Sequence, residues 1–127
     1  MINNETLGIE PGQFPENNRD LAGSDQNHPL VEVIDLKKHF PVTRGLLFQR
    51  PTGAVKAVDG ISFQISHGET LGLVGESGCG KTTAGRTILG LYPSTAGQVT
   101  IAGHQVQIGN KREMKAIRRA AQMIFQD

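Results

Sequence analysis

The sequence has 127 residues, of which 37% are hydrophobic, 5% aromatic and 20% charged, with no Trp; that length supports one modest core and excludes two complete domains. Sixteen glycines without a three-residue period exclude a collagen-like chain and point to turns and ligand loops. The net charge of +1 divides into five acids and one base over residues 1 to 28 and seven acids and twelve bases beyond, or −4 against +5, a surplus too small for a nucleic-acid groove in a chain with so few aromatics.

Residues 1 to 28 carry Asn3, Asn4, Asn17, Asn18, Asn27, Pro11 and Pro15 with no apolar period, so a disordered polar tail is expected there, followed by a folded part over residues 29 to 127. From Leu30, the residues Val31, Val33, Ile34 and Leu36 predict a short strand towards Phe40 that Pro41 stops. The mixture from Thr43 to Gly53 reads as an irregular connection. Ile61, Phe63 and Ile65 alternate with polar residues as a half-buried strand, and His67-Gly68 turns the chain. Thr70, Leu71, Leu73 and Val74 predict a third strand that enters a glycine-rich loop, and a helix is predicted from Thr82 to Leu91. Gln98 to Ala102 predicts another strand, Lys111 to Ala120 a basic helix with Met114 and Ile117 inward, and Met123 to Phe125 the start of a last strand. That strand begins close to Asp127, so an incomplete domain is expected.

The lone Cys79 rules out an internal disulfide and fits a reducing compartment. No secretory leader opens the sequence, and no run approaches the roughly 18 consecutive apolar residues of a membrane span. His28, His39, His67 and His104 lack metal-ligand spacing and read as surface or turn residues.

Gly75-Glu76-Ser77-Gly78-Cys79-Gly80-Lys81-Thr82 satisfies G-x-x-x-x-G-K-[ST]. Glycines at 75, 78 and 80 let backbone N–H groups converge on phosphate oxygens, and the helix that follows adds its N-terminal partial charge. Lys81 suits the β- and γ-phosphates, the Thr82 hydroxyl suits Mg²⁺, and Thr83 suits the α-phosphate. A dinucleotide fingerprint fails because Thr83 stands where its third glycine belongs. The run Leu30 to Asp35 imitates a magnesium-binding strand but precedes the loop, and reads as an ordinary edge strand.

The phrases Lys56-Ala57-Val58-Asp59-Gly60-Ile61-Ser62-Phe63 and Gly68-Glu69-Thr70-Leu71-Gly72-Leu73-Val74, running into the phosphate loop, resemble the ATP-binding subunits of ABC transporters, most nearly the oligopeptide and dipeptide importers. The long stretch Pro41 to Val55, the Gly85 to Leu89 helix and the closing Gln122-Met123-Ile124-Phe125-Gln126-Asp127, similar to the Q-loop, belong to the same resemblance, which covers about residues 30 to 127. It implies an α/β fold of the P-loop NTPase class, with an antiparallel β layer and the start of a RecA-like core. It implies Phe40 as the platform under adenine, and Gln126 as the residue reaching magnesium and the attacking water. Two departures are small: Thr82 stands for the more usual Ser, and Tyr92 to Gly97 is a loose version of the family's turn.

The family's signature sequence, magnesium-binding Asp, catalytic Glu and switch His would all follow Gln126, and none is within these 127 residues. An N-terminal piece of an ATPase subunit is therefore expected, able to bind ATP but not to hydrolyse it at a useful rate. The intact protein would couple ATP hydrolysis to peptide uptake at the cytoplasmic face of the plasma membrane. It would dock on integral-membrane permeases, pair head to tail with a second ATPase subunit, and serve a substrate-binding protein indirectly. The alternative is a nucleotide-binding module of a non-transport ABC protein or another phosphate-loop enzyme.

Overall fold

The computed structural model describes residues 1–3, 28–44 and 50–125. Two long strands, β1 (Val31–Arg44) and β2 (Arg50–Ile65), pair antiparallel from Val31↔Ile65 to Arg44↔Arg50. The glycine-rich loop then leads into α1 (Lys81–Ile88), followed by β3 (Ala96–Ile101), the two-residue β4 (His104–Gln105) and α2 (Lys111–Ala120). The sheet order is β2-β1-β3-β4, all neighbours antiparallel. This is the α/β layer expected from the sequence. Among the described residues no helix is long and apolar enough to cross a membrane.

β1 is an interior strand, not an edge, because residues 50–65 and 96–101 flank it on both sides. It also runs through Pro41 to Arg44, where a stop was expected. The pairing with β3 ends at Lys37↔Ala96, so beyond that point β2 is the only strand alongside among the described residues. A proline, which lacks a donor, is tolerated where a strand has a neighbour on one side only. The expected irregular connection is correspondingly reduced, since β2 already begins at Arg50; residues 45–49 lie outside the described residues.

A bulge sets the faces of β1. Asp35 takes φ 45°, its N–H donates to Ser62 Oγ at 2.8 Å, and the register shifts between Val33 and Leu36. The extra residue returns Leu36 to the buried face with Val33 and leaves Ile34 exposed. Gly97 of β3 lies so close to the Asp35 carbonyl that a Cβ there would overlap it, which explains the glycine.

The core comprises Val33, Leu36, Val58, Ile61, Phe63, Ala84, Val99, Ile101, Met114 and Ile117, with Ile2 added. Most of the expected tail, residues 4–27, lies outside the described residues. At its start, Ile2 is fully buried and bridges to Val58 in parallel, its N–H donating to Ala57 O at 3.3 Å and its carbonyl accepting from Asp59 N–H at 2.9 Å. One isolated apolar residue among polar neighbours carries no period from which such a bridge could be read.

α2 matches its expected bounds, and its start has a clear cause: Asn110 Oδ1 accepts from the N–H groups of Arg112 and Glu113 at 3.2 and 3.3 Å. α1 ends at Ile88, three residues before the expected end. Gly90 at φ 69° closes it, with Leu91 N–H donating to Arg86 O at 2.8 Å. The two strands expected at 70–74 and 123–125 are absent; both segments are irregular. Among the described residues no strand lies alongside either one, and a strand without a ladder partner has no acceptors for its backbone. Val74 is 75% and Ile124 93% exposed, whereas Leu73 is partly buried against the core.

Candidate functional site

The loop from Gly75 to Gly80 crosses from the irregular segment after β2 to the first turn of α1. Gly80 is the N-cap residue, at φ 110°, and its α-carbon abuts the carbonyl of Ala57 so closely that any side chain would collide with backbone. Gly78 also has a left-handed φ, 79°. Glycine is thus required at 80 for two independent reasons, conformation and contact. The Gly80 carbonyl accepts the first helical bond, from Ala84 N–H at 2.8 Å. The N–H groups of Lys81, Thr82 and Thr83 start the helix and have no intrahelical acceptor.

Lys81 folds back over this loop. Its ammonium donates to the carbonyls of Gly75 at 2.7 Å and Glu76 at 2.6 Å, and lies 3.5 Å from Cys79 Sγ. The Cys79 side chain is half-buried and fills the space next to the Gly75 α-carbon, 2.7 Å from where a Cβ would lie. Glu76 and Ser77 are exposed, as is Thr82 on the first turn of α1; Thr83 is half-buried and its carbonyl accepts from Thr87 Oγ1 at 2.7 Å. All the residues expected of a phosphate loop are therefore contiguous, with one ammonium and one exposed hydroxyl at the same helix end.

Phe40 lies on β1 opposite Val55, half-buried. Its ring meets that of Tyr92 nearly at right angles, 88°, with centroids 5.9 Å apart, and Lys38 Nζ lies 4.8 Å from its centroid. Lys38 is only 9% exposed, and this ring contact accompanies its burial. Tyr92, which meets the Phe40 ring, and Arg86, which holds Tyr92, were not singled out in the sequence. The available signal was that Tyr92 is the only Tyr of the chain, placed before a proline in the turn after α1. Gln126, the other expected site residue, lies outside the described residues.

Two of the histidines, His39 and His104, form local pairs. His39 Nε2 lies 2.8 Å from Asp59 Oδ1, and Lys56 Nζ donates to Asp59 Oδ2 at 3.2 Å. The bond to His39, with that to Lys56, holds the Asp59 carboxyl below its ordinary value. His104 Nδ1 lies 3.1 Å from Glu113 Oε2. Among the described residues no group of three His, Cys, Asp or Glu could hold a metal ion. The exposed Thr82 hydroxyl at the start of α1 is the kind of oxygen that suits an Mg²⁺ arriving on a nucleotide, because that ion keeps phosphate and water ligands.

The family described as "ABC transporter" matches residues 58–127, more than half of the chain. The chain is 52% identical over 99 residues to the oligopeptide transport ATP-binding protein AppF of Bacillus subtilis, covering 77% of this chain and 30% of that protein. It is 47% identical over 103 residues to the dipeptide transport ATP-binding protein DppF of Haemophilus influenzae, covering 80% and 31%. With the glutathione import ATP-binding protein GsiA of Pectobacterium atrosepticum the identity is 44% over 99 residues, covering 78% and 16%. The chain thus spans about a third or less of the length of these curated relatives.

Proposed function

The chain belongs to the ABC transporter family, and from that premise we propose that it forms the nucleotide-binding part of an ATPase subunit that drives peptide import. The observation that carries this reading is the Lys81 ammonium, held over the loop by the Gly75 and Glu76 carbonyls at the start of α1. An ATP molecule exchanges those two carbonyl bonds for bonds to its β- and γ-phosphate oxygens. The loop N–H groups and the end of α1 then face the same anion. Thr82 would give one oxygen to the Mg²⁺ that comes with the nucleotide, and Thr83 would serve the α-phosphate. Phe40 is the surface under adenine, a role its ring at the far end of β1 can serve. Gln126, outside the described residues, would serve the metal and the attacking water.

The magnesium neutralises charge on the phosphates when bound. Phosphoryl transfer also requires an oriented water, and Lys81 and Thr82 serve only the phosphate side. Residues 1 to 127 are therefore expected to bind ATP with little phosphate release. In the whole protein, hydrolysis is coupled to peptide uptake at the cytoplasmic face of the membrane. Its partners are permease subunits, a second ATPase subunit bound head to tail, and indirectly a substrate-binding protein. The names of the relatives, for oligopeptides and dipeptides, support the cargo class.

Competition of ATP, ADP and AMP against a fluorescent ATP analogue tests the nucleotide site. AMP, lacking the phosphates that Lys81 serves, must compete far more weakly than ATP. Equal competition by all three removes the phosphate loop from the account. Co-purification of the full-length protein with integral-membrane permeases tests the transport role, and a purely soluble partner set favours a non-transport nucleotide-binding module.

A further inference from the structure

We propose that Tyr92 is a positioning residue for the base platform, holding the Phe40 ring and tying it through Arg86 to the helix that begins in the phosphate loop. The inference rests on the reading of Phe40 as that platform. Phe40 lies beyond the last β1–β3 pair, Lys37↔Ala96, so the sheet holds its backbone from the β2 side only. A ring in such a place can rotate about χ2 unless neighbours restrain it. Tyr92 supplies the restraint, at 5.9 Å between centroids and 88° between planes, while the Lys38 ammonium sits over the ring at 4.8 Å.

Tyr92 is itself tied three ways to one residue of α1. Its N–H donates to Arg86 O at 3.2 Å, its hydroxyl accepts from Arg86 Nη1 at 3.0 Å, and the guanidinium carbon lies 5.7 Å from its ring centroid. The turn that carries Tyr92 is also pinned to β1 beside Phe40. Thr95 N–H donates to Lys37 O at 2.8 Å, and Thr95 Oγ1 accepts from His39 N–H at 2.9 Å. Base platform and phosphate helix are thus joined by the path Phe40, Tyr92, Arg86. A nucleotide contacting both ends requires a fixed distance and tilt between them, and this path provides both.

Inorganic tripolyphosphate separates positioning from general stability, because it fills the phosphate loop and has no base. In the 127-residue chain, with folding checked by circular dichroism, Tyr92→Leu should weaken ATP roughly three- to tenfold, the range of an aromatic pair's coupling. Tripolyphosphate affinity should be unchanged, and Tyr92→Phe should restore most of the loss. Phe40→Leu is the control for the underlying reading; if it leaves the ratio of ATP to tripolyphosphate affinity unchanged, both reading and inference fall. If Phe40→Leu lowers that ratio and Tyr92→Leu does not, the platform stands and the positioning role is overturned. Should Tyr92→Leu unfold the chain, the native protein still decides. Tyr92 is its only Tyr and it has no Trp, so ATP must shift the tyrosine emission where tripolyphosphate does not, and identical responses overturn the proposal.

Discussion

Gly80, the residue immediately before Lys81, is pressed against the carbonyl of Ala57 in β2, at φ 110°. The same Ala57 oxygen accepts from Ile2 N–H at 3.3 Å, so the start of the phosphate helix, β2 and the N-terminal bridge meet at one atom. Gly80→Ala should therefore destabilise the fold as well as disturb the loop. The positive φ alone costs about 1–3 kcal/mol, and the overlap with backbone has no rotamer that relieves it. A lowered midpoint in urea unfolding is the expected result. An unchanged midpoint would show that α1 does not abut β2 at this point.

Cys79 offers a second test. Its sulfur lies 3.5 Å from Lys81 Nζ and packs against Gly75, inside the loop that a triphosphate would occupy. ATP should slow maleimide labelling of Cys79, read by mass spectrometry. Labelling at the same rate with and without ATP would place the nucleotide elsewhere.

The cluster of His39, Lys56 and Asp59 across β1 and β2 predicts a pH dependence. Bonds from His39 and Lys56 lower the Asp59 carboxyl from its ordinary 3.8 in the folded chain. A carboxyl depressed on folding contributes stability that is present above the unfolded value and is lost as pH falls through the folded one. Unfolding midpoints of the native chain and Asp59→Asn should thus differ most at neutral pH and converge below about pH 4. Parallel curves through that range would contradict the contribution of these bonds.

The parts legible in the sequence were those set by local chemistry. The basic run with Met114 and Ile117 at helical spacing predicted α2 over Lys111–Ala120, and the glycine and lysine spacing marked the loop that enters α1. The parts missed depend on partners distant in sequence. Pro41 looked like a strand end because nothing local shows that β3 has already ended at its level. Residues 70–74 have strand composition, but composition supplies no neighbour, and the segment is irregular. Ile2 reaches the core through a bridge to Val58, a pairing across 56 positions that no period encodes. Phe40 entered through family resemblance, whereas its contact with Tyr92 brings together residues 52 apart.

The most direct measurement is the affinity of the chain for ATP with and without the Lys81 ammonium, which now bonds the Gly75 and Glu76 carbonyls. A charge-assisted hydrogen bond is worth about 1.5–3 kcal/mol, so Lys81→Ala should weaken ATP roughly ten- to hundredfold in a fluorescent-analogue titration, with the circular dichroism spectrum unchanged. A folded Lys81→Ala chain that binds ATP as tightly as the native one would contradict the account at its centre.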